Sequence, residues 1–230
     1  QMRVRVTPID PAADSSVMPG DYTTLVSGTP TQIESFGALN VTLSDSTGQP
    51  LNLRAGQTAT LRIPLGSRSA TPPATIPLFY FDPASGRWVQ EGTATLAGTG
   101  TGRYYQGTVA HFSTWNADQV MNSVQVTGCV ADANGTRVVN ARVFSDGIDY
   151  SGTSGTMTDN AGNFTIAIRS NSRATLVAPS GALRSNTFSA GPYAVNTTLA
   201  SCLQLGQSGS GVTMTLTWGA RPGDLDSHLY

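Results

Sequence analysis

No stretch of this chain keeps one hydrophobic period for long before a cluster of Asp, Pro and Gly interrupts it. Residues 3–7, Arg3-Val4-Arg5-Val6-Thr7, alternate polar and apolar as a half-buried strand does. Pro8, Asp10-Pro11 and Met18-Pro19-Gly20-Asp21 then punctuate residues 8–21, where no sheet interior can continue. Further strands are predicted at 31–34, 36–43, 51–54, 57–63, 76–82, 87–91, 93–96 and 103–110. The runs Asp45-Ser46-Thr47-Gly48-Gln49-Pro50 and Asp82-Pro83-Ala84-Ser85-Gly86 place turn residues where two tight hairpins need them. Strands this short and evenly spaced predict an all-β chain of sandwich type, and 25 Gly with 13 Pro in 230 residues exclude an all-helical one.

Asn116 to Ser123 breaks the alternation and contains the one helix-permissive stretch, Ala117 to Asn122. A domain boundary is expected there, with a first β-sandwich at 1–118 and a linker at 119–123. A second cycle opens with Val124-Gln125-Val126-Thr127-Gly128-Cys129-Val130 and continues with predicted strands at 138–144, 147–150, 154–158, 163–168, 173–178 and 194–203. Asp159-Asn160-Ala161-Gly162 reads as a hairpin turn within it. The second sandwich is therefore placed at 124–205, followed by a Gly/Ser linker at 206–211. Residues 212–230 open on the alternating run Val212-Thr213-Met214-Thr215-Leu216-Thr217-Trp218, the expected first strand of an incomplete third β-domain. The whole reads as tandem β-sandwich domains excised from a longer polypeptide.

Charge narrows the function classes. All 13 basic residues are Arg, 14 are Asp or Glu, and the net charge of −1 provides no field for nucleic acid or an anionic membrane. No apolar run is long enough for a transmembrane helix. The two cysteines, Cys129 and Cys202, lie at strand-like positions with no CxxC spacing and no clustered His. A disulfide is the simplest reading and implies an oxidising compartment; the alternative is two buried thiols in a cytosolic protein.

Gly128-Cys129-Val130-Ala131-Asp132, Gly135, Val138-Val139, Ala141-Arg142-Val143 and Thr158-Asp159-Asn160-Ala161-Gly162-Asn163-Phe164 occur in order. Residues 124–205 thereby resemble the carboxypeptidase regulatory-like family of small transthyretin-like sandwiches, which implies an interaction or stiffening module without an active site. Phe36-Gly37-Ala38-Leu39-Asn40-Val41, Gly56 to Pro64, Leu78 to Asp82, Gly86 to Gly92 and Val109-Ala110-His111-Phe112-Ser113-Thr114-Trp115-Asn116 also follow one another. Residues 30–118 are in this respect similar to the β-sandwich of ankyrins, netrin receptors and cartilage intermediate layer proteins. The tail Trp218-Gly219-Ala220-Arg221-Pro222-Gly223-Asp224-Leu225-Asp226 resembles the opening of pre-peptidase C-terminal-like domains. These resemblances and the all-Arg basic set imply a bacterial surface multidomain protein. The sequons at Asn40, Asn134, Asn163 and Asn196 are on that reading incidental to a Thr-rich sequence.

Some relatives of the first domain imply a chemistry, cleavage before Ser by an N→O acyl shift. It would need His111 as base on Ser113 and an oxyanion donor at the Phe112–Ser113 bond. In a strand His111 and Ser113 would share a face; the alternative is that Phe112 and Trp115 pack the core while His111 satisfies a backbone group. Trp88, Trp115, Tyr80, Tyr104 and Tyr105 are either core or a sugar-stacking platform, and of adjacent Tyr104 and Tyr105 one must point outward. Asp224, Asp226 and His228 share a strand face and form either the beginning of a calcium site or a polar edge. Otherwise no cofactor is expected.

The leading expectation is a non-enzymatic structural or interaction segment of a secreted or cell-surface bacterial protein, on the outer-membrane or periplasmic side. A stalk, fibre or matrix component fits, assembled with other domains of the same polypeptide and with identical subunits by exchange of strand 212–218. Self-cleavage at Phe112–Ser113, or a carbohydrate-binding accessory role using Tyr104 or Tyr105 against surface polysaccharide, are the alternatives.

Overall fold

The computed structural model describes residues 2–181 and 183–206. Its first half holds β1 (Arg3–Ile9), β2 (Thr23–Val26), β3 (Thr29–Ser44), β4 (Pro50–Leu51), β5 (Ala59–Pro64), β6 (Thr75–Asp82), β7 (Arg87–Ala97), β8 (Tyr104–Val109) and β9 (Thr114–Val120). They form one nine-stranded sheet in the order β1-β3-β9-β6-β7-β8-β5, with β2 paired to β3 and β7 and β4 to β3. Both expected hairpins are present: Leu43 opposes Leu51, and Phe81 opposes Trp88.

The sheet folds over on itself, and β3 is where it bends. Its register slips between Ser35 and Ala38, and Gly37 there has φ +134°, with a Cβ at that position striking the Pro64 carbonyl. Only glycine tolerates that approach. The Gly66 N–H, just beyond β5, donates to the Phe36 carbonyl at 2.9 Å, so the sheet's last strand is held against its second. Phe36, Ile63, Leu78, Tyr105 and Trp115 fill the enclosed core. The opposite face carries a smaller core of Met18, Tyr22, Ile33, Phe79 and Trp88, with residues 10–22 laid over it as a strap.

The helix-permissive stretch 117–122 is not a helix: its first four residues continue a strand of the first domain, and the passage to the second domain is confined to Met121 and Asn122. β9 runs through Val120 in the middle of the sheet, between β3 and β6. Trp115 and Ala117 enter the enclosed core while Asn116 and Asp118, fully buried, face the strap. A strand buried on both faces shows no alternation, and two of its buried residues are polar.

The second half holds β10 (Ser123–Ala131), β11 (Arg142–Gly147), β12 (Thr153–Met157), β13 (Asn163–Arg169), β14 (Ala174–Val177), β15 (Pro179–Ser180), β16 (Leu183–Ser185), β17 (Phe188–Ala190), β18 (Thr197–Thr198) and β19 (Leu203–Gly206). One sheet has the order β13-β10-β19-β16-β15, with β18 also on β10; the other is β12-β11-β14-β17. Val126, Val143, Phe164, Ile166, Leu176 and Leu203 pack between them. The Asp159–Gly162 turn forms, with Asp159 Oδ1 accepting from Ala161 N and Asn163 N at 2.9 Å each. It does not make a hairpin: β12 belongs to the four-stranded sheet and β13 to the six-stranded one, so the turn carries the chain across the core. Of the expected strand 147–150, Gly147 ends β11 and 148–150 form a bend, while 194–203 contributes the short β18 and the first residue of β19.

The linker expected at 119–123 shrinks to Met121 and Asn122, since Gln119 and Val120 belong to β9 and Ser123 to β10. The 206–211 linker, beyond Gly206, and the 212–230 strand lie outside the described residues.

Candidate functional site

The two-residue connection is itself bonded to both domains. The Met121 N–H donates to Gln32 O at 2.8 Å on the first domain, while its side chain sits in the core of the second. Asn122 O accepts from Ser170 N at 2.8 Å. Around it the loop that joins β11 to β12 presses on β3: Ser35 N donates to Ser151 O at 2.8 Å, and Gly152 lies against the Ile33 carbonyl.

Two arginines cross the joint in opposite directions. Arg68, from the loop after β5, donates to Asp146 Oδ1 at 2.8 Å, to the Gly147 carbonyl, and through Nε to Ala12 O at 3.0 Å. Its own N–H donates to Ser151 Oγ at 3.0 Å, and the Ser15 hydroxyl donates to the same Asp146 oxygen at 3.0 Å. Arg169, at the end of β13, reaches back to Glu34 Oε1 at 3.2 Å and Ser69 Oγ at 2.8 Å, and Ser69 donates to Glu34. The Gln32 amide, oriented to satisfy its neighbours, donates to Tyr22 O at 2.9 Å and Thr153 O at 3.3 Å.

The electrostatics of the joint follow from burial. The Glu34 side chain is 3% exposed, and burial raises its pKa above the ordinary value; the Ser69 hydroxyl and Arg169 pull it back down, and the charge of Asp149 adds to the rise. Asp118, directly across from Ser35 in the ladder, is raised well above the usual carboxylate range, again first by burial. The Ser35 hydroxyl opposes that rise only in part, because it donates to Asn116 Oδ1 at 2.6 Å. Among the described residues neither Asp118 oxygen has a hydrogen-bond partner, nor do Asn116 Nδ2 and Trp88 Nε1. A neutral carboxyl is the form such surroundings favour.

His111-Phe112-Ser113 lies in the bend between β8 and β9, not in a strand, so the shared-face argument fails. The His111 ring packs edge-on to Tyr80 (4.7 Å between centroids) and against Trp115 (4.9 Å), with Nε2 3.6 Å from a Glu91 carboxylate oxygen. Ser113 Oγ makes its hydrogen bond to Thr114 O at 3.4 Å rather than to His111. Four of the bend's backbone groups have partners. Trp115 Nε1 donates to His111 O (3.1 Å), Asn52 accepts from Phe112 N (2.7 Å) and donates to Phe112 O (3.2 Å), and Val41 N donates to Ser113 O (3.0 Å).

Trp88 and Trp115 are core residues, 1% and 0% exposed. Of the tyrosine pair, Tyr105 is buried with its hydroxyl on Pro73 O at 2.8 Å, while Tyr104 faces outward under the Arg62 guanidinium. Cys129 and Cys202 are joined in a disulfide that ties β10 to the residue before β19. Asp224, Asp226 and His228 lie outside the described residues. Sequence reasoning did not find Glu34, Arg68, Asp146 and Arg169; nothing local distinguishes them from solvated charges.

No family model and no curated protein matches the chain. One solved structure, concerned with host cell surface retention of a 1.5-MDa bacterial ice-binding adhesin, is 11% identical over 75% of this chain and 76% of its own, with a TM-score of 0.17. A likeness at that level carries no argument about fold or function.

Proposed function

We propose that the chain is a non-enzymatic structural segment of a large secreted or cell-surface bacterial protein, a stiff two-domain spacer of the kind a stalk, fibre or matrix component requires. The joint carries this reading. A tether meant to swing would have a solvated linker; here β9 passes into β10 through two residues, each bonded to a domain, inside reciprocal Arg–carboxylate contacts. The disulfide supports an oxidising location, and no helix among the described residues is long and apolar enough to cross a membrane. Solution X-ray scattering tests the proposal: one fixed orientation of the two domains should fit the intact chain, and an Arg68→Ala/Arg169→Ala variant should need a spread of orientations. A spread already needed for the parent chain would overturn it. Assembly by exchange of strand 212–218 belongs to the same proposal, since among the described residues β1 has no neighbour on its outer edge and Val4 and Val6 are more than half exposed. Light scattering should then show association that disappears when residues 207–230 are deleted, and a monomer in both cases would remove this element.

One observation favours self-cleavage as a second reading. Asn52 Nδ2 already donates to the Phe112 carbonyl oxygen, which becomes the oxyanion if Ser113 Oγ attacks. Fragments ending at Phe112, absent in Ser113→Ala, would establish it.

A further inference from the structure

Between the strap and the outer face of the β11–β12 ladder lies a cleft of about 470 Å³, with Asp21, Thr23 and Gln32 on the first-domain wall and Arg142, Phe144 and Thr153 on the second. Its size falls in the range of ligand sites, and a boundary between domains is where such sites concentrate. The Gln32 amide bonds to Tyr22 O and Thr153 O and so spans both walls. The two walls are thereby bridged by a hydrogen-bonded side chain.

The floor carries a partly exposed aromatic ring. Phe144 points outward between the core residues Val143 and Ser145; of its two cross-strand partners Val177 flanks it on β14, while Gly155 on β12 has no side chain to cover it. Arg142 lays its guanidinium over that ring, 4.8 Å from the centroid, which holds a planar set of N–H donors at the floor. Across from it stands the exposed carboxylate of Asp21, an acceptor only, and the threonine hydroxyls both donate and accept. An anionic ligand would meet Arg142 but also Asp21; a cation would meet the reverse. A hydroxyl satisfies both, because it donates to the carboxylate and accepts from the guanidinium, and the apolar face of a pyranose suits the aromatic floor.

We infer that this cleft binds a neutral oligosaccharide, a ligand site beyond the spacer role proposed above and separate from outward-facing Tyr104. The test is the full chain, immobilised and free, against an array of neutral and acidic oligosaccharides, followed by titration of the best neutral hit. Binding to neutral glycans, weakened at least tenfold by Phe144→Ala and by Arg142→Ala and unchanged by Tyr104→Ala, is the expected result. No binding, binding confined to acidic glycans, or a loss caused by Tyr104→Ala but not by Phe144→Ala would each overturn the inference. Melting of each variant is followed alongside, and Asp21→Asn serves as a conservative second probe that leaves the ladder untouched. The scattering experiment on the joint is independent, so failure of either reading shows separately.

Discussion

Arg169 of the second domain and Glu34 of the first meet at 3.2 Å around a carboxylate that is otherwise shut away from water. Removing the guanidinium leaves that carboxylate buried without its cation, which is far costlier than never having made the pair. Arg169→Ala should destabilise the chain by about 3 kcal/mol in chemical denaturation, and Glu34→Gln, which keeps a hydrogen-bonding group of the same shape, by less. Equal losses would mean that packing rather than charge holds this side of the joint.

Asp118 sets a pH dependence of definite sign. Its folded pKa is raised, so the native state keeps a proton that the unfolded chain gives up. The stability so contributed is complete below the unfolded carboxylate value of about 4 and declines as pH rises toward the folded value. Asp118→Asn is neutral throughout. It should flatten the fall in unfolding midpoint above about pH 4 and be more stable than the parent at pH 7; an unchanged slope would speak against a buried neutral Asp118.

The Cys129–Cys202 bond closes a loop of 73 residues. On the chain-entropy account, reduction should cost the second domain about 4 kcal/mol. Denaturant unfolding with and without reductant measures this, and only the second-domain transition should move. Intact mass should rise by the two hydrogens of reduction.

At the bend after β8, Asn52 holds both the N–H and the carbonyl of Phe112. Asn52→Ala should cost about 1–2 kcal/mol, since two partly solvated hydrogen bonds are lost. Under the spacer reading the parent chain stays at its intact mass of 23.9 kDa on long incubation, with no fragment beginning at Ser113. Mass spectrometry decides this.

Where one face of a strand is core and the other solvent, as in β5 and β13, the alternation of Leu61 and Ile63 or of Phe164, Ile166 and Ile168 was visible in the sequence. β9 escaped because both of its faces are covered, and Asp118 reads as a surface residue until Ser35 and the strap are placed over it. The Asp159–Gly162 turn was legible as a turn, but its residues do not say whether the next strand returns to the same sheet. The joint was illegible for a different reason: Arg169 and Glu34 stand 135 positions apart, and ion pairs at that separation leave no local pattern. The two cysteines could be paired from sequence because no other cysteine competes.

The disulfide also decides how the second domain answers a pull. Tension entering at Asn122 reaches Cys129 within the same strand, crosses the sulfur bridge to Cys202 and leaves through β19, which runs parallel to β10 alongside Val130 and Ala131. The polypeptide between the two cysteines is outside that path. Pulled at its ends, this domain cannot pay out its interior as slack, and under oxidising conditions it behaves as a link of nearly fixed length.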